Sequence, residues 1–255
     1  MANGLMLLGC GLNAIMPGTI DDDILGYWNA DQAAGADLTD GVNKVGASGS
    51  SDHDLAEQGT CTVTDGVISG AAEGDTNVSN RYSLNNEEDF ECGTDDFAIW
   101  FWLKMVSYTN GLVFDCVNSG DANSGWGFQP YSNGNLYYYF NTAGIALTQG
   151  LWTGFDEAAG TGDWHLWIVN VSRAVGSGSE SDGDGKMSIY MDGPTLKTST
   201  DITAHSAVGF TMSDNQIFKN ADSLVDEIGW MTGDRLTAKE MTALYNGGKG
   251  MTYYS

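Results

Sequence analysis

The sequence predicts an all-β fold, an antiparallel two-sheet sandwich closed by one short C-terminal helix. Three observations predict it. Alternating or aromatic-rich runs recur along the chain, each bounded by Gly, Asn, Asp or Ser. Glycine is abundant at 35 residues and proline scarce at 3, which suits many strands joined by tight turns. One stretch alone carries a full set of helix signals, which argues against an alternating α/β chain. At 255 residues the chain fits one large β domain.

Residues 1–23 read as an N-terminal arm or first strand, and 24–255 as the domain, with Asp21-Asp22-Asp23 at the border. Leu5, Leu7, Leu8, Leu12 and Ile15 give the arm an apolar character suited to docking on a shell or a neighbouring subunit. Leu7-Leu8-Gly9-Cys10 approximates the box that precedes a lipidated cysteine. A secretory leader, however, needs a positive start and about 7–15 continuous apolar residues. Residues 1–6 contain no Lys or Arg, and Leu5 to Leu8 is the longest apolar run before Cys10. The segment is therefore expected to be retained.

Within the domain, FAIWFWLKM (97–105) places Phe97, Ile99, Phe101, Leu103 and Met105 on one strand face. Ala98, Trp100, Trp102 and Lys104 take the other. LVFDCV (112–117), GNLYYYFN (134–141), WHLWIVNVS (164–172) and KMSIYMDG (186–193) read likewise as strands. GSGSESDGDG (176–185) is too polar to bury and reads as a hairpin tip. The helix falls in DRLTAKEMTALYNGG (234–248). There Thr237 and Glu240 form a capping box, Leu236 and Met241 a hydrophobic staple, and Gly247-Gly248 the left-handed stop.

Charge narrows the partners. With 34 acidic residues against 10 basic, the chain carries −24, so nucleic acid and anionic membrane surfaces are disfavoured. Most of these acids read as a solvated shell, and calcium is the cofactor candidate that clustered carboxylates suggest. Cys10, Cys61, Cys92 and Cys116 show no metal-ligand spacing and read as buried thiols.

The segment LVDEIGWMTGDRLTAKEMTALYNGG (224–248) resembles the closing strand and helix of the LamG-like jelly rolls, the concanavalin A-like sandwiches related to laminin G and pentraxin modules. Other landmarks follow in order: GYW (26–28), TDDFAIWFWLK (94–104), GDWHLWIVNVSR (162–173) and MSIYMDG (187–193). The family's second histidine after Trp-His is Leu166 here, and the loop before residue 134 is longer than in compact members. The resemblance implies a concanavalin A-like jelly roll acting as a binding or structural module, seldom as an enzyme.

Candidate sites follow. Trp100, Trp102, Tyr137 and Tyr139 share outward strand faces and are candidate sugar-stacking rings, unless loops, the arm or a neighbour cover them. Asp192, Asp226 and Glu227 are metal candidates, with a buried, backbone-bonded role favoured for Asp226, and the Asp/Asn-rich segments 118–123 and 180–184 are further oxygen sources. Glu87, Asp89 and Glu91 spell the E-x-D-x-E of laminarinase-type hydrolases, but their flanks are turn-like and a surface loop is the expected reading. No catalytic set emerges from His53, His165 and His205.

The leading functional expectation is a non-catalytic virion decoration or attachment protein, sited on a phage surface and assembled through its arm as an oligomer. The alternative is a secreted or surface glycan-binding module. A glycoside hydrolase is the distant third.

Overall fold

The computed structural model describes residues 24–251 apart from 34, 40, 42–52, 75–78, 85–86, 119–123, 174–184, 210–211, 213–214 and 220. The arm with Leu5, Leu7, Leu8, Leu12 and Ile15, the polar tip and nearly all of both Asp/Asn-rich segments lie outside the described residues.

Two antiparallel sheets pack face to face. The eight-stranded sheet runs β13 (Thr195–Asp201), β12 (Lys186–Met191), β11 (His165–Ser172), β6 (Phe97–Met105), β15 (Ser223–Thr232), β4 (Gly70–Gly74) and β3 (Thr62–Asp65), and β1 (Ile24–Trp28) also pairs with β15. The seven-stranded sheet runs β10 (Thr148–Trp152), β9 (Leu136–Asn141), β8 (Ser124–Pro130), β7 (Leu112–Asn118), β14 (Asn215–Lys219), β5 (Arg81–Leu84) and β2 (Leu55–Gln58). The predicted all-β sandwich with its short C-terminal helix is the observed architecture.

Strand alternation builds the core. Phe97, Ile99, Phe101, Leu103 and Met105 of β6 point inward, as expected, and meet Phe114, Trp126, Phe128, Tyr138 and Phe140 of the opposite sheet. Phe101 and Phe114 lie 4.4 Å apart between centroids, and Phe97 stacks on Trp230 at 6.0 Å. Each such ring contributes about 2–3 kcal/mol by leaving water.

The outer face of the eight-stranded sheet carries a second core. Ala98, Trp100, Trp102, Leu166, Ile168, Tyr190 and Met231 cluster with Leu236, Met241, Leu244 and Met251. The last four belong to the C-terminal segment around the helix Ala238–Tyr245, which is the second of two α-helices among the described residues. Helix α1 (Phe155–Ala159) is the first, and the C-terminal one is α2. The capping box forms as predicted: the Glu240 amide donates to Thr237 Oγ1, and the Glu240 carboxylate accepts from the Thr237 amide at 2.8 Å. The left-handed stop begins one residue earlier than expected, at Asn246 (φ 47°), and continues through Gly247 and Gly248. Cys61, Cys92 and Cys116 are buried free thiols, while Cys10 lies outside the described residues.

Candidate recognition face

Cross-strand pairing decides which side chains share the outer face of the seven-stranded sheet. Gln149 pairs with Tyr139, Tyr139 with Gly127, Gly127 with Asp115, Asp115 with Gln216 and Gln216 with Ser83. Directly paired residues point to the same side, so these six form one row across strands β10, β9, β8, β7, β14 and β5. At about 4.8 Å per strand, the row spans ~24 Å. A second, shorter row runs Leu151, Tyr137 and Gln129.

The row has a built floor. The Tyr139 ring lies across Gly127, where an added Cβ would sit 2.2 Å from the ring carbon that bears the hydroxyl. Only a residue without a side chain allows that approach. The Tyr139 hydroxyl then reaches over β8 and donates to Asp115 Oδ1 at 2.8 Å. Burial, and next the Asp115 carboxylate, push the Tyr139 phenol well above its ordinary pKa, so it stays a donor. Asp115 and Gln216 are each 5% exposed and form the base of the row. Tyr137 and Tyr139 stand half-buried above it, and Gln149 and Leu151 are exposed at its end. Tyr137 packs on Tyr131 with centroids 4.3 Å apart, giving an aromatic platform beside Leu151. Gln129 Nε2 donates to the Asn110 carbonyl at 3.0 Å, which fixes that amide in place.

The four expected stacking aromatics do not share one surface. Tyr137 and Tyr139 lie on this face, whereas Trp100 and Trp102 lie on the far side of the sandwich. They are 1% and 2% exposed there, beneath the C-terminal segment. Trp102 stacks on Tyr245 of α2 at 5.9 Å and 22°. Of the two readings of Trp100 and Trp102, sugar-stacking rings or a covered face, the structure shows the covered one: the C-terminal segment removes both indoles from solvent, so they are not ligand-binding rings here. Sequence reasoning also missed Asp115, Gln129, Gln149 and Gln216. An acid centred in the apolar run LVFDCV was a legible signal for Asp115, but nothing marked Gln216.

The metal candidates stay apart. Asp192 accepts from the Leu166 amide through Oδ1 at 3.1 Å and pairs with His165 Nδ1 through Oδ2 at 2.8 Å. Leu166 pairs with Trp102 and Trp102 with Asp226, so about three strand spacings, ~14 Å, separate the two acids. Asp226 is buried, as favoured, and Oδ2 accepts from the Val67 and Ile68 amides at 2.9 and 3.2 Å. Burial raises its carboxyl to about 7 against the lowering effect of the Ile68, Val67 and Glu227 amides. Glu227 sits in a bulge of β15 at φ 51° and is 1% exposed, with no described donor on either oxygen. Burial alone raises it to about 9. Among the described residues, no three His, Cys, Asp or Glu side chains assemble around a metal position.

The E-x-D-x-E motif is not on a strand. Glu87 to Phe90 forms a single 3-10 turn, anchored by buried Phe90, and Glu91 accepts from the Met212 amide at 2.9 Å. A 3-10 turn lacks the period-two alternation of a strand. Each histidine has a structural role. His205 bridges Thr142 and Thr148 at 2.9 Å each, and His53 packs edge-on against Phe90 at 5.0 Å. Among the described residues no helix is long and apolar enough to cross a membrane.

No family model and no curated protein matches the chain. Solved structures do. The binding domain of Paraclostridial Mosquitocidal Protein 1 superposes with TM-score 0.66 at 16% identity, over 90% of this chain and 53% of that one. The botulinum neurotoxin serotype D binding domain gives 0.64 at 14%, over 90% and 53%. The binding domain of botulinum neurotoxin DC, solved in complex with SialylT, gives 0.64 at 15%, over 89% and 52%. The chain thus spans about half the length of each. At these identities the likeness is one of fold: a jelly-roll β-sandwich, as in the binding domains of these toxins.

Proposed function

We propose that this chain is a non-catalytic recognition module that binds a neutral glycan on the outer face of its seven-stranded sheet. The observation that carries the reading is the row Gln149, Tyr139, Asp115, Gln216 and Ser83, flanked by the Tyr131–Tyr137 platform. Aromatic faces stack on the apolar faces of sugar rings, while carboxylates and amides bond the hydroxyl edges, and such sites are few per protein. Asp115 and the net charge of −24 oppose sialylated, sulfated or uronic sugars, so a neutral ligand fits best. The fold likeness to toxin binding domains supports a binding role over a catalytic one.

A setting on a virion surface remains a proposal. It rests on the arm residues, which lie outside the described part of the chain, and an attachment protein would employ such a face outwardly. The test is a glycan array probed with the wild-type chain and with Tyr137→Ala. Binding to neutral oligosaccharides that is lost in the variant supports the reading. An array without neutral binders, or with binding indifferent to Tyr137, overturns it.

A further inference from the structure

We propose that β10 is an acceptor edge for residues 1–20 of a second copy of this chain. Charge distribution points to both partners. Residues 122–155, which contain all of β8, β9 and β10, include no Asp, Glu, Lys, Arg or His over 34 positions. Residues 1–20 include none either. These are the two longest uncharged stretches in a chain that carries −24. Two copies repel wherever their acidic shells meet, and a neutral segment on a neutral edge escapes that repulsion.

At its margin β10 runs beside β13, the end strand of the other sheet, so the two sheets meet there. Terminal strands of natural sheets are blunted by charges, proline or bulges, because their unpaired backbone groups template another strand. β13 carries Lys197 and Asp201, with a register shift beside Tyr190; β2 carries Glu57, and β3 carries Asp65. β1 is uncharged, but Ile24, Tyr27 and Trp28 are buried. Among the described end strands, β10, with the sequence TQGLW, carries no charge, proline or register shift. Its flank is apolar as well. Leu151 is 47% exposed and Leu147, just before the strand, 53%, and both alternate with Gln149 on one face.

An added strand gains main-chain hydrogen bonds from the edge and specificity from alternate side chains. Leu8 and Leu12 are four positions apart, as Leu147 and Leu151 are, so an antiparallel pairing would set Leu8 beside Leu151, Leu12 beside Leu147 and Cys10 beside Gln149. The arm enters the fold at β1, next to β15 in the other sheet. To reach its own β10 it would cross β6, β11, β12 and β13, over a face already covered by the C-terminal segment. Twenty extended residues span about 66 Å, enough to reach a neighbour instead. Reciprocal exchange then closes a twofold dimer with two such contacts. Gln149 and Leu151 also end the proposed sugar face, so the pairing is read from mass and cross-linking and not from glycan affinity.

The experiment combines native mass spectrometry of the full chain with a cross-link. Gln149→Cys puts a thiol on the acceptor strand, and Cys10 supplies its partner, since Cys61, Cys92 and Cys116 are buried. The expected result is a dimer, an oxidised Q149C species linked between two chains through Cys10, and monomers for both Leu151→Asp and deletion of residues 2–18. Melting temperatures should hold, because Leu151 is half exposed. If L151D fails to fold, Gln149→Lys replaces it. A wild-type chain that is monomeric at 100 µM, a dimer that survives both changes, or a cross-link confined within one chain would overturn the proposal.

Discussion

Replacing Glu227 by Gln tests the electrostatics of β15 directly. The Glu227 carboxyl is 1% exposed, lacks a described hydrogen-bond donor, and is raised by burial from 4.5 to about 9. In the folded chain it is therefore protonated at pH 7, whereas in the unfolded chain it is ionised. A raised acid pKa means the native state holds more protons. Its stabilising share is complete below the unfolded value and declines as pH rises toward the folded one. At pH 7 the gap from 4.5 amounts to about 2.5 pH units, or ~3 kcal/mol at 1.36 kcal/mol per unit. Glutamine matches the neutral acid in shape and cannot ionise. Urea melts should show E227Q more stable than wild type by about 3 kcal/mol at pH 7, and nearly equal to it at pH 4. A variant less stable than wild type by the same margin at both values would refute the reasoning. It would mean that Glu227 is ionised in the fold and held by a cation.

Other outcomes follow from packing and caps. Gly229→Ala would place a Cβ 1.9 Å from the Trp100 ring, which is buried and cannot yield, so a loss of about 3 kcal/mol in chemical denaturation is expected. Thr237→Ala removes the N-cap of α2 and should lower stability by about 1 kcal/mol in the same assay. Trp102→Ala opens the second core beneath Tyr245, with an expected loss of about 3–5 kcal/mol and no specific effect on sugar affinity where the protein stays folded. Tyr139→Phe deletes the bond to Asp115 and should weaken calorimetric glycan affinity severalfold, while Tyr137→Ala should abolish it.

Much of the scaffold was legible because period-two patterning is strong where one face meets the core. β6 emerged with the bounds expected of it, and β11 and β12 nearly so. The cap and staple of α2 were readable from four residues, Leu236, Thr237, Glu240 and Met241. Strands β2, β3, β4, β5 and β14 were not foreseen. They are four or five residues long and rich in Gly, Ala, Thr or polar side chains, and pairing with neighbouring strands, not local pattern, makes them strands. Helix α1 was missed for a similar reason: it lacks a side-chain cap and is pinned by buried Phe155.

The recognition face was half legible. Alternation put Tyr137 and Tyr139 opposite Tyr138 and Phe140. It also put Trp100 and Trp102 opposite Phe101, but it could not say which outer face the helix would cover. That choice depends on Leu236, Met241 and Leu244 finding the indoles from more than 130 positions away in sequence. The row through Asp115 and Gln216 needed strand order, which joins β14 to β7 across nearly a hundred residues.

Hydrogen–deuterium exchange, with and without the neutral oligosaccharide that binds best on the array, tests the central claim most directly. The account predicts slowed exchange over Leu112–Asn118, Ser124–Pro130, Leu136–Asn141 and Thr148–Trp152, and unchanged exchange across Ala238–Tyr245. Protection confined to the helix side, or to the rim around His165 and Asp192, would contradict it.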